Sequence, residues 1–285
     1  MIAGLTVCIC TRNRPDELER ALDSVRSAGP TIAAIVVADD STDDRTERLV
    51  EGLDSIDVSY VPGPRRGLGA NRNAALAEVR TSHLLFLDDD ARLDTAFVSA
   101  WQSANRSLPK SSRSRVIHTG AERNGGALIH PRATTFLGHQ SRVYRTGQPL
   151  DTIVINATVL PRLLFDAISF DERLIYGSDE VDLAMRAVAK GFRIEFVASM
   201  ANDHCPSTVN RDYYASHVDA ARLYVTWKRY ARVERSFVKA GVFAVVAPVH
   251  LLLHGARRRG RPGLTAAVKS IHSAAAMART PGPTG

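Results

Sequence analysis

Cysteine is scarce: Cys8, Cys10 and Cys205 are the only three in the chain. An odd count, with the first two pointing to one face of an expected strand where geometry disfavours a bridge, excludes a disulfide-stapled scaffold. Buried thiols in a reducing compartment are expected instead. A secretory pattern is also missing, because Thr11-Arg12-Asn13-Arg14 interrupts the opening apolar residues; the expectation is a chain that stays inside the cell. Acidic residues nearly vanish towards the end: from Lys228 onward eleven Lys/Arg face the single acid Glu234. That segment carries +10 of a chain whose net charge is +7, leaving −3 for residues 1–227. The basic character therefore belongs to a tail, and nucleic acid is not an expected partner. Within the tail, residues 240–256 hold no charged side chain but fall short of the ~20 apolar residues of a spanning helix, and include Pro248, His250 and His254.

What is present suits a globular enzyme: 285 residues, 45% hydrophobic and 24% charged, enough to bury a real core. The first hundred residues alternate between two periods. Residues 5–10, 32–38, 56–61 and 82–87 read as strands, and residues 16–27, 43–52 and 68–79 as helices. This order implies an α/β fold with a mostly parallel central sheet wound from βαβ units. Pro15 suits a first helical turn, and Ser41 or Asp43 the cap of the next helix. Residues 105–150 break the order and read as loops and short strands. Residues 152–155 resume it, followed by a helix over 161–168, a helix over 180–190 stopped by Gly191, and a strand over 192–197. No internal repeat is visible.

Acidic residues gather at the ends of these elements. Asp88, Asp89 and Asp90 follow the apolar run of residues 84–87, so a buried strand delivers carboxylates to the carboxyl edge of the sheet, where open α/β folds place their chemistry. Alternation along extended backbone would turn Asp88 and Asp90 the same way, towards one hard divalent cation; a solvated acidic turn is the structural alternative. Asp39-Asp40 closes the second strand, with Asp43 and Asp44 just beyond. Gly67, Gly69, Asn71, Arg72 and Asn73 open the third helix, where Arg66, Arg72 and the helix N-terminus suit phosphate charge. Asp179, Glu180 and Asp182 open another helix, a place the macrodipole favours for acids whatever their function.

Taken together, these segments resemble the inverting family 2 glycosyltransferases of the GT-A (Rossmann-like) fold, over roughly residues 5–204. Thr11-Arg12-Asn13-Arg14-Pro15 is similar to the family's first nucleotide-binding segment, and Asp39-Asp40-Ser41-Thr42-Asp43 to the stretch whose second Asp, here Asp40, contacts the base. Residues 86–90 resemble the metal-binding Asp-X-Asp motif, and Phe170-Asp171-Glu172-Arg173-Leu174 with Asp179-Glu180-Val181-Asp182-Leu183 resembles the segment with the catalytic base. The family has Glu-Asp where this chain has Asp179-Glu180, so Glu180 stands in the base slot and Asp179 is the reserve. The resemblance implies Mg²⁺ or Mn²⁺ held by Asp90, Asp88 and His204. Donor contacts are implied at Thr11, Arg12, Asp40, Arg66, Arg72, Asp88 and Asp89, and an acceptor contact at Asn156.

The implied reaction is a single in-line displacement. Metal neutralises a UDP, dTDP or GDP leaving group, and a carboxylate deprotonates the hydroxyl of a glycan, lipid-linked or secondary-metabolite acceptor. Two readings from other classes are a nucleotidyltransferase, which usually needs a glycine-rich loop after the first strand, and a non-catalytic nucleotide-sugar-binding module. The expected organisation is a catalytic domain over residues 1–210 and a helical, basic C-terminal extension over residues 211–285. Apolar residues followed by Arg257, Arg258, Arg259 and Arg261 form a membrane-surface pattern, so the expectation is a cytoplasmic protein with an anionic membrane as partner at the inner face, a core-packing C-terminal helix being the alternative.

Overall fold

In a computed structural model describing residues 2–53, 58–206 and 211–280, the apolar runs at residues 5–10, 32–38 and 82–87 become strands buried on both faces. The first half is β1 (Ile2–Thr11), α1 (Pro15–Ser27), β2 (Ile32–Asp39), α2 (Arg45–Glu51), β3 (Val58–Pro62), α3 (Leu68–Ala77) and β4 (Thr81–Asp88). Strands β3-β2-β1-β4 lie parallel in that order. Side chains of β1 divide between two cores: Leu5, Val7 and Ile9 meet Leu18, Leu22 and Trp101 on one face. Cys8 and Cys10 meet Leu76, Phe86 and Leu183 on the other. Such double burial makes parallel strands read as continuous apolar runs. All three thiols are free, the first two buried. Residues 56 and 57 of the expected third strand lie outside the described residues.

The second half is β5 (Ala91–Arg92), α4 (Phe97–Ser107), β6 (Val116–Asn124), β7 (Ala127–Ile129), β8 (Ala133–Thr134), β9 (Gln140–Arg142), β10 (Thr158–Pro161), α5 (Asp179–Ala189), β11 (Arg193–His204), α6 (Arg211–Lys228) and α7 (Phe237–Arg279). It extends the sheet as β10-β6-β11-β5 beyond β4. β10 runs antiparallel to both its neighbours, β11 is parallel to β6, and β7 pairs with β6. The mixed α/β fold is the expected one, with several departures within it.

Residues 105–150 hold the expected short strands β7, β8 and β9, but also β6, a nine-residue interior strand of the sheet. The helix expected over 161–168 is a short 3-10 turn, Arg162–Asp166, after strand β10. β11 runs on past residue 197 to His204, with a register shift between Phe196 and Ala201. Asp44 directly precedes α2 and Ser41 does not cap it, its hydroxyl being tied to Asp39, Asn13 and Thr46, whereas Asp43 Oδ1 accepts from the Arg45 N–H, the first of the helix, at 3.2 Å. The tail forms a third core. α6 runs into a π-helical turn, Arg229–Val233, and α7 breaks at Gly260 (φ 57°) into two legs. Arg232 donates to the Ala278 carbonyl, 3.4 Å, so the second leg returns along the first. Residues 281–285, expected to fray, lie outside the described residues.

Candidate active site

The carboxyl ends of β1, β2 and β4 open onto a cavity of about 1000 Å³. Asp88 ends β4, and Asp89 and Asp90 form a turn, so strand alternation does not govern the triplet. The turn buries Asp89 completely, where it accepts from Thr11 Oγ1 at 2.7 Å and Arg14 Nε at 3.0 Å. Burial pushes its carboxyl up to about 7, opposed by Arg14 and Thr11. Asp89 thus braces the turn from beneath, while Asp88 and Asp90 line the cavity. Asp88 accepts from Arg72 at 3.1 Å, from Asn156 Nδ2 at 3.2 Å, and through its own N–H donates to Asn156 Oδ1 at 2.8 Å. Asn156 also donates to Glu122 Oε2 at 3.1 Å. Its amide, expected to contact an acceptor, is taken up bracketing two carboxylates.

Asp90 lies between two cationic groups. Arg14 reaches Oδ2 at 3.2 Å, and His204 Nε2 stands 3.3 Å from Oδ1. His204, at the end of β11, has its Nδ1 2.7 Å from Glu122 Oε1 on the adjacent strand β6. Burial disfavours its charge, but hydrogen bonds to Asp90 and Glu122 win, pushing the imidazole up to about 10. This arrangement fits a divalent cation: Glu122 orients the ring by its Nδ1, as outer carboxylates do for ligating histidines, leaving Nε2 beside the Asp90 carboxylate. Among the described residues no three His, Cys, Asp or Glu enclose a metal by themselves. A carboxylate completed by substrate phosphates and water is a usual set for Mg²⁺ or Mn²⁺, and this site adds an imidazole to it.

Across the cavity, Gly177 (φ 88°) and Ser178 (φ 56°) turn the chain into α5, whose first residues are Asp179 and Glu180. Asp179, 4% exposed, is held by Arg72, which also pairs with Asp88 and lies 5.5 Å from the Phe170 ring centroid. Arg72 is itself buried. Expected as a phosphate contact, Arg72 lines the cavity and also joins the start of α5 to the end of β4. Glu180 is less buried, lines the cavity, and accepts from Gln140 Nε2 at 2.9 Å. One turn on, Asp182 is buried with Lys228 (2.6 Å), whose Nζ also meets Asp171 at 2.7 Å; these ion pairs fasten α6 to α5.

Arg12 and Asp40 line the opposite end. Asp40 accepts from the Arg65 N–H at 2.8 Å, and burial raises its carboxyl above the usual range. A Cβ on Gly63 would sit 2.2 Å from Asp40 Oδ1, and one on Gly67 (φ 105°) 2.6 Å from Ile175 Cα, so both positions require glycine. Arg66 points outward, 2.9 Å from Glu172, beyond the cavity lining.

Residues 6–104 match the family model for Glycosyl transferase family 2. That stretch, about a third of the chain, is similar to the family 2 glycosyltransferases. Over 106 residues, 35% of this chain and 34% of the relative, it is 31% identical to GalNAc(5)-diNAcBac-PP-undecaprenol beta-1,3-glucosyltransferase of Campylobacter jejuni. Among solved structures, GalNAc-T7 with UDP, GalNAc and Mn²⁺ superposes at TM-score 0.67 and 18% identity, covering 82% of this chain and 49% of that one. The Pyrobaculum calidifontis mannosyltransferase PcManGT with GDP-Man and Mn²⁺ superposes at 0.58 and 16% identity, covering 98% and 87%. These structural likenesses show the fold, GT-A. The chain spans about a third of the length of the curated relative and about half of the GalNAc-T7 chain.

Two residues of this site, Glu122 and Gln140, and the bracing role of Arg14 escaped sequence reading. Glu122 and Gln140 lie in the stretch read as irregular, and their partners are 82 and 40 residues away. Arg14 stood inside a recognised motif, but nothing local shows that it turns back onto Asp89 and Asp90.

Proposed function

We propose that the protein transfers a sugar from a nucleoside-diphosphate sugar to an acceptor hydroxyl, with inversion at the anomeric carbon. The observation that carries this is the two-sided cavity: Asp88, Asp90 and His204 on one wall, and the start of α5 with Glu180 on the other. Arg12 and Asp40 mark the nucleobase end. Asp90 and His204 would hold Mn²⁺ or Mg²⁺, which when bound would supply charge neutralisation for the departing diphosphate. Arg14 and Arg72 hold the carboxylates that face it. Glu180 accepts the proton of the acceptor hydroxyl as that oxygen bonds to the anomeric carbon and the bond to the diphosphate breaks. Asp179 is engaged by Arg72, so Glu180 is the base and Asp179 positions the helix.

The donor is of the UDP or GDP type, as in the related solved complexes. The acceptor is lipid-linked, as the name of the Campylobacter relative states for that enzyme. Residues 1–210 form the catalytic unit and residues 211–285 an extension at the inner face of the membrane. Hydrolysis of a panel of UDP, dTDP and GDP sugars with and without Mn²⁺ tests the reading. Metal-dependent release of one diphosphate, lost in Asp90→Ala, is the expected result; absence of both release and metal-dependent nucleotide binding overturns it.

A further inference from the structure

The first leg of α7, residues 237–259, is apolar on two opposed faces. Ala240, Phe243, Ala247 and Leu251 pack inward against the core that includes Tyr224 and Tyr230. Val238, Val242, Val245, Val249 and Leu253 recur every three or four residues along the outside, with Val238 78% and Val245 66% exposed. Past the reversal at Gly260, exposed Leu264 and Val268, one turn apart, add to it on the second leg. Scattered exposed valines need no explanation, whereas an apolar stripe along a helical hairpin marks an interaction surface. At its tip Arg257, Arg258, Arg259 and Arg261 are all exposed, and no carboxylate among the described residues pairs with them.

We propose that this face of the hairpin rests on an anionic phospholipid bilayer, with the valines and leucines at the acyl–headgroup boundary and the four arginines among the lipid phosphates. Charge selects the occupant. A surface covering the stripe must also supply negative charge at its end, and a second copy's tail, with no acid after Glu234, does not. The first leg, at ~1.5 Å per residue, is long enough to cross a bilayer and apolar enough by composition. Its inner face, however, is docked on the protein core, so insertion would strip that packing; the hairpin lies on the surface. His250 stands 6.3 Å from His139 on the cavity rim, ring to ring, so the docked edge adjoins the site. The docking itself does not depend on the glycosyl-transfer reading.

Flotation with phosphatidylcholine vesicles, with and without phosphatidylglycerol, tests the proposal. Wild type should bind the anionic vesicles about 10²-fold or more tightly than the neutral ones, the expected gain for four cations at the surface. Replacing Arg257, Arg258, Arg259 and Arg261 together by Gln should remove that preference, and Val245→Gln with Val249→Gln should weaken binding to both vesicles. Unchanged urea midpoints in both variants, which alter only exposed side chains, keep misfolding out of the comparison. Donor hydrolysis by the arginine variant in vesicle-free solution should equal wild type, which separates failed docking from failed chemistry. The proposal is overturned if wild type does not float, if neither variant alters flotation, or if carbonate fails to extract it. A concentration-dependent dimer that the valine variant dissolves would also overturn it, by assigning the stripe to a second copy.

Discussion

Asp179 and Glu180 are adjacent in sequence and opposite in circumstance. Asp179 is buried in the grip of Arg72, whereas Glu180 reaches the cavity and accepts there from the Gln140 amide. Glu180→Gln should therefore lower kcat of transfer by about 10²–10⁴-fold, the usual contribution of a general base, while calorimetric donor binding stays unchanged. Asp179→Asn should leave transfer much closer to wild type and show itself mainly as a lower unfolding midpoint. A reversed pattern in the two kcat values would make Asp179 the base. Arg72 supports a second expectation. Arg72→Met leaves the carboxylates of Asp88 and Asp179 without their shared cation, and removing one partner of a buried ion pair costs about 3–5 kcal/mol. Urea unfolding should show that loss with or without ligand, because the clamp belongs to the fold before it belongs to the reaction.

At the scale of elements, α4 packs across β11 and β6, and beneath it lie His118, fully buried, and His83 of β4, edge-on to Trp101 at 5.1 Å. Burial, helped by the neighbouring His83, pushes the His118 imidazole down to about 4, and burial lowers His83 as well. Between pH ~6.5 and ~4 the unfolded chain takes up these protons and the folded chain does not, so stability falls as the pH falls through that window. For His118 the loss approaches about 3 kcal/mol at the lower end. Urea midpoints at pH 7.5 and pH 5 should differ in wild type and differ less in His118→Leu; equal pH slopes in the two proteins would refute this. The same strand shows why part of the fold was illegible. β6 reads His118, Thr119, Gly120, Glu122 and Arg123, without an apolar period, because Thr119 and Glu122 find their partners in Thr158, Asn156 and His204, far along the chain. Strands β1, β2 and β4 were legible because both their faces meet hydrocarbon. The carboxylates that end β4 and open α5 were legible by position. The inward turn of Asp89 and the brackets made by Arg72 and Asn156 were not, since long-range pairing decides them. Gly260 and Pro262 are a stop and a start in sequence that mark the hairpin, yet residues 240–261 read as one apolar-then-basic segment.

Over the whole molecule charge is segregated: residues 1–227 carry −3, and residues 228–285, most of them in α7, carry +10. Buried pairing of Lys228 with Asp171 and Asp182 joins the two parts rigidly, so what the hairpin touches determines where the cavity faces. If the basic hairpin holds the enzyme at a membrane that presents the acceptor, salt should act on encounter and not on chemistry. Raising ionic strength from about 0.1 M to about 1 M shortens the Debye length from ~10 Å to ~3 Å. Transfer to an acceptor embedded in phosphatidylglycerol vesicles should then fall by at least about tenfold, because four exposed arginines lose most of their attraction for the surface. Hydrolysis of the free donor should change little over the same range, because Arg14 and Arg72 act within a partly buried site, where screening is weak. The comparison is made on one enzyme preparation with both substrates. A parallel fall in the two rates would place the salt effect at the donor diphosphate and remove the hairpin from the kinetics. A fall in transfer alone, absent in the arginine variant, would tie the tail's charge to delivery of the acceptor.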